Sequence, residues 1–124
     1  MTSISAKGIE KLVALWTKRL RVQDWDISVK IVPQSLLAEN NTLGQCELSN
    51  TKREAFISIL NPEFRLKDDG STEDFETILV HELLHIVFPA RQLGIKIDDK
   101  NPAFAEYERG IDATARALVG GYRK

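Results

Sequence analysis

Residues 77–88 read TILVHELLHIVF, an almost unbroken apolar run closed by Pro89. The run is too long for an ordinary strand, and proline disfavours helical geometry at the residue before it. The pattern predicts a helix from about Thr72 to Phe88. On that helix Phe75, Leu79, Val80, Leu83, Leu84, Ile86 and Val87 cover a broad arc. Asp74, Thr77, His81, Glu82 and His85 gather on the other side, with Ile78 and Phe88 as apolar exceptions. An apolar arc this wide has to be covered by the rest of the chain, so the helix sits at the centre of the core.

The remaining segments supply what covers it. Residues 4–20 carry Ile9, Leu12, Val13, Trp16 and Leu20 at helical spacing, and Lys18 and Arg19 suit the negative end of the helix dipole. Trp25, Ile27, Val29 and Ile31 alternate with polar residues as in a half-buried strand, ended by Pro33. A second strand is expected near 42–49, where the alternation is poor. A third covers 55–60 and is closed by Asn61-Pro62. Asp68-Asp69-Gly70-Ser71 reads as a turn leading to a helix cap. Asn101-Pro102 starts a last helix that should continue to about Val119 and end at Gly120-Gly121. The expectation is one α+β domain over residues 1–124. It has an N-terminal helix, a small, mainly antiparallel three-stranded sheet, a central helix and a C-terminal helix.

With 43% hydrophobic and 28% charged residues, the 124-residue chain has a globular composition. A net charge of −1 gives no footprint for nucleic acid or anionic lipid. The single cysteine, Cys46, cannot form an internal disulfide and reads as a half-buried strand residue. With no apolar stretch of membrane-spanning length and no charged leader followed by an apolar core, a cytoplasmic protein is expected.

His81 and His85 are the only histidines, and His81-Glu82-Leu83-Leu84-His85 matches H-E-x-x-H. Residues four apart lie one above the other on a helix, so both imidazoles can grip one metal ion from one side. Glu82, about 100° round the helix from His81, can reach a water on that metal without ligating it. This is the arrangement a zinc hydrolase needs. The bland reading is a pair of structural histidines, but buried polar groups without partners cost about 1–3 kcal/mol each. A metal would satisfy them together.

A catalytic zinc takes three protein ligands, and no third histidine exists. The next helix, PAFAEYERGIDATARALV, offers carboxylates. Phe104, Tyr107, Ile111 and Leu118 define its buried side, and Glu108 and Asp112 flank it. Glu106 points the other way with Arg109 and Arg116, as on a solvated face. Glu108 is therefore the expected third ligand. Asp112, one turn along, is either an outer partner for a ligating histidine or a surface charge near Arg109 or Arg116. Gly110 either permits close approach to the histidine helix or is neutral.

HELLH followed by Glu108-Arg109-Gly110-Ile111-Asp112 on a later helix resembles the gluzincin pattern of zinc metallopeptidases. The layout is similar to minimal gluzincins and to short HExxH proteins of phages and prophages. The resemblance implies a minimal zincin-like fold and hydrolysis of peptide or protein substrates. In it His81, His85 and Glu108 hold Zn2+, Glu82 is the general base and Asp112 the outer-shell aspartate. The donor to the oxyanion would be Tyr107 or Tyr122. A peptide could add to an exposed edge strand, 43–48 or 55–59, with the 89–101 loop as rim or lid. The competing readings are a non-catalytic zinc-binding phage assembly or regulatory protein and, further off, a metal-dependent nuclease.

Overall fold

The computed structural model describes residues 6–33, 43–60 and 74–123. Helix α1 (Ala6–Arg19) precedes strands β1 (Asp26–Val32), β2 (Gly44–Ser49) and β3 (Glu54–Leu60), then helices α2 (Phe75–Val87) and α3 (Pro102–Tyr122). Three helices and one small sheet make an α+β fold. The expected turn and cap at 68–71 lies outside the described residues.

The sheet is not mainly antiparallel as expected. Its order is β1-β3-β2, with β3 parallel to β1 and antiparallel to β2. The reason is topological. Parallel neighbours need a long connection, and β1 reaches β3 only after the chain has crossed to β2 and turned back. The short β2–β3 hairpin includes Arg53 at φ 53°, whose carbonyl accepts the Asp26 N–H at 2.8 Å. Strand alternation reveals which residues face inward, but not the direction of the neighbour. This order also decides between the two candidate edge strands. β3 is central, whereas β2 is paired on one side only among the described residues.

Ala55, Ile57 and Ile59 of β3 are buried, and their antiparallel partners Leu48, Cys46 and Gly44 place the same face of β2 toward α2. The core gathers Trp16, Ile57, Ile59, Ile78, Leu79, Val80, Leu83, Ile111, Ala115 and Val119. α2 is thus covered by the sheet on one side and by α3 on another, as its apolar arc demands. Ile78 is not an exception on a polar face: it is 3% exposed and belongs to the core. Asp74 caps α2 by accepting the Thr77 N–H at 2.9 Å. The helix stops at Val87, with Phe88 as C-cap before Pro89.

α3 runs past its expected end at Val119, through both glycines, to Tyr122. Each glycine costs about 1 kcal/mol in a helix interior, so tertiary contacts must hold this last turn. The Tyr122 ring meets Trp16 edge-on at 5.2 Å, and the Arg19 guanidinium stacks 3.7 Å from the Tyr122 centroid. Beyond the helix, Arg123 bonds Asp74 at 2.5 Å and Glu76 at 2.8 Å. No helix among the described residues is long and apolar enough to cross a membrane.

Candidate metal centre

The α2–α3 contact brings together five of the residues singled out in the sequence: His81, His85, Tyr107, Glu108 and Asp112. His81 Nε2 stands 3.6 Å from Glu108 Oε2, and His85 Nε2 stands 3.4 Å from Glu108 Oε1. One ligand atom from each of the three residues lies within 4.8 Å of the others, so the group can hold a metal ion. Separations of 3.4–3.6 Å are long for hydrogen bonds. They are close to the roughly 3.3–3.4 Å between two ligands about 2.0–2.1 Å from a tetrahedral ion.

The far side of each ring is also engaged by α3. Asp112 Oδ1 is 3.5 Å from His81 Nδ1, while its Oδ2 accepts from Arg116 Nε at 3.0 Å. The helix-surface ion pair expected as one alternative for Asp112 is thus present, and the same carboxylate also faces His81. Tyr107 Oη lies 2.9 Å from His85 Nδ1 and donates its proton to the Phe88 carbonyl. A hydroxyl has one proton to give. With that proton on Phe88, the oxygen accepts from His85 Nδ1–H, which leaves the Nε2 lone pair facing Glu108. Tyr107 thus stands where it can orient the His85 ring, and donating to an oxyanion, as the resemblance implied, would require its proton to leave the Phe88 carbonyl. Tyr122 packs against Trp16, 10 residues past Asp112 on α3, and does not line the cleft. Glu106 is exposed and pairs with Arg109, on the solvated face where the sequence placed it.

Charge and burial shape the cluster. Burial pulls the His81 pKa down, but the facing Glu108 and the charges of Glu82 and Asp112 outweigh it and raise it to about 9. Burial dominates at His85, whose pKa is lowered. Glu108 is lowered as well: burial opposes this, and the two histidines prevail. The metal-free cluster thus keeps a proton chiefly on His81, opposite an ionised Glu108.

Glu82, on the polar side of α2, is buried, at 6% exposed. It faces β2, and the cluster and Glu82 line one cleft of about 680 Å³. Gly44, Cys46 and Leu48 of β2 form one wall, and Pro89, Ala90, Ile97 and Phe104 extend it beyond His85. Of the 89–101 loop, Arg91 and Asp99 are also at this rim. Burial, followed by the nearby Glu82 and Glu47 charges, pushes the Cys46 thiol up to about 12, so it is a protonated wall residue. Gly110 does not mediate close approach, because a Cβ there would meet nothing within 4 Å. That role falls to Gly44, whose added Cβ would stand 3.1 Å from Glu82 Oε2. The sequence signal for it was slight: a glycine opening a strand of poor alternation, where close backbone approach is one of the standard readings.

No protein-family model matches the chain, and neither a curated protein nor a solved structure matches it.

Proposed function

We propose that this protein is a zinc-dependent metallopeptidase of the kind its HELLH segment resembles. The observation that carries the reading is the convergence of His81, His85 and Glu108 in a cleft walled by an edge strand, with the buried Glu82 carboxylate beside them. Two imidazoles and one carboxylate are a donor set of catalytic zinc sites, which keep one position for water or substrate. Structural zinc sites are normally closed by four ligands and rich in cysteine. The single Cys46 also suits a reducing compartment such as the cytoplasm.

His81, His85 and Glu108 would hold the ion. Zinc, when bound, acidifies a water and polarises a carbonyl as a Lewis acid. The residues around it divide the remaining work. Tyr107 and Asp112 hold the rings so that the Nε2 atoms point inward. Glu82 accepts the proton of the attacking water and returns it to the leaving amine, as a general base and then acid. Among the described residues β2 pairs with β3 alone, and its other edge would align an extended peptide along the cleft through backbone hydrogen bonds.

The test is metal analysis of the purified protein combined with a peptide-library assay. One zinc per chain and chelator-sensitive cleavage are expected. Glu82→Gln should retain the metal and lose at least about 100-fold in turnover, within the range general-base catalysis supplies. Full turnover in that variant would remove Glu82 from the chemistry. Bound zinc with no cleavage of any peptide would favour the non-catalytic zinc-binding alternative.

A further inference from the structure

Gly44 opens β2 and lies on the ridge of α2 formed by Ile78 and Glu82, which are four residues apart and so share a face. A Cβ added to Gly44 would stand 2.9 Å from Ile78 Cγ2, 3.1 Å from Glu82 Oε2 and 3.4 Å from Glu82 Cγ. The corresponding positions at Gly94, Gly110, Gly120 and Gly121 have nothing within 4 Å. Among the described glycines only Gly94 has a positive φ, so the backbone does not demand glycine at 44. The room does. Neither neighbour yields easily: Ile78 is 3% exposed and its β-branched side chain has one strongly preferred helical rotamer, and Glu82 is 6% exposed.

We propose that Gly44 is a positioning residue for Glu82. Its missing side chain lets the backbone of the edge strand touch the Glu82 carboxylate, so the base is located by the same strand that would align a peptide. This rests on the metallopeptidase reading and adds to it the device that keeps base and substrate in register. An added Cβ would stand 3.1 Å from Glu82 Oε2, so no side chain of residue 44 lies between the strand backbone and the carboxylate. Misplacing a reacting group by about 1 Å can cost on the order of 100-fold in rate.

The experiment compares wild type, Gly44→Ala, Ile78→Leu and the double variant Gly44→Ala/Ile78→Leu. Each is assayed for zinc affinity, for kcat and KM on a cleaved library peptide, and by a crystal structure of the zinc-loaded form. Ile78→Leu removes the branch at Cβ while nearly conserving volume, so the double variant isolates the contact with Glu82 and keeps the test alive should the single variant fold poorly. Gly44→Ala and the double variant should bind zinc as wild type does, lose about 2–10-fold in kcat with a smaller change in KM, and show the Glu82 carboxylate displaced by a few tenths of an ångström. Recovery of full turnover in the double variant would overturn the proposal, because the defect would then run through Ile78 packing. So would an unmoved Glu82, or a loss of zinc affinity in step with kcat. If wild type binds zinc and cleaves nothing, the hydrolytic reading fails, and the position of Glu82 in the variant structures still decides the role of Gly44.

Discussion

At the N-terminal end of α2, Asp74 and Glu76 meet Arg123 at 2.5 and 2.8 Å, and Glu76 also accepts the Trp16 Nε1–H at 2.7 Å. Further along the same helix, His81 and His85 face Glu108 at 3.6 and 3.4 Å. Both clusters pair side chains of α2 with side chains from the α3 end of the chain. In the first, a guanidinium sits among carboxylates at bonding distance and the set is closed. In the second, the groups converge at separations long for hydrogen bonds; Tyr107 bonds the outer nitrogen of His85 at 2.9 Å, and Asp112 stands 3.5 Å from that of His81. The difference separates a closed ion-pair clasp from a cluster that could hold a metal ion.

The largest expected effect is at Glu108. Glu108→Ala should weaken zinc binding by more than about 100-fold, beyond the roughly 10–100-fold that loss of an outer-shell partner costs. A zinc titration against a chelating indicator reads it. Near-wild-type affinity would mean that the open cluster is no more a metal site than the clasp is. Tyr107→Phe comes next, at about 10–100-fold, because it removes the oxygen that orients His85 without touching a ligand. An unchanged affinity would show that the ring is held by packing alone.

The protonation of the cluster yields a prediction the clasp does not share. The raised pKa of His81 contributes stability that is full below its ordinary 6.5 and is lost as pH rises through about 9. The lowered pKa of Glu108 contributes stability present above 4.5 and lost as pH falls through its folded value. His85, kept neutral by burial, works against the fold as pH drops below 6.5. The metal-free cluster therefore weakens from pH 6.5 toward pH 9. Zinc takes the deprotonated ligands, so its stabilisation grows over the same range. Calorimetry with and without zinc should show a Tm gap wider by at least about 5 °C at pH 9 than at pH 6.5. Equal gaps would refute this account of the charges.

How far the sequence carried these conclusions differs by region. The histidine pair and the choice of Glu108 over Glu106 followed from helical periodicity, because a helix wheel is a local property and α3 kept its expected face toward α2. The same periodicity put Asp112 one turn from Glu108 and left two readings of it open. Tyr107 was placed on the correct face of α3, but its hydroxyl partner was not legible. That depends on where the Phe88 carbonyl emerges after α2 ends, which no periodicity encodes. The parallel pairing of β1 with β3 was hidden because strand alternation is blind to direction. Gly44 was hidden because the sequence shows an absent side chain without the neighbours that require its absence. The continuation of α3 through Gly120-Gly121 was overridden by long-range contacts, since Tyr122 and Arg123 lock onto residues more than 45 positions away.

That clasp supplies the smallest predicted effect and the cleanest control. Arg123 and Asp74 are about half exposed, and exposed ion pairs are worth about 0–1 kcal/mol after screening. Glu76 is more buried, at 18% exposed, and retains its bond from Trp16 when Arg123 is removed. Arg123→Ala should therefore lower stability by no more than about 1 kcal/mol, a Tm change of a few degrees, and 0.5 M salt should erase much of the difference. Zinc affinity and turnover should be unchanged, because no group of the clasp reaches the cleft. Loss of zinc affinity in Arg123→Ala would show that the two ends of α2 are energetically coupled. The histidine end would then depend on the clasp for its geometry, and the contrast between a closed structural cluster and an independent metal site would fail.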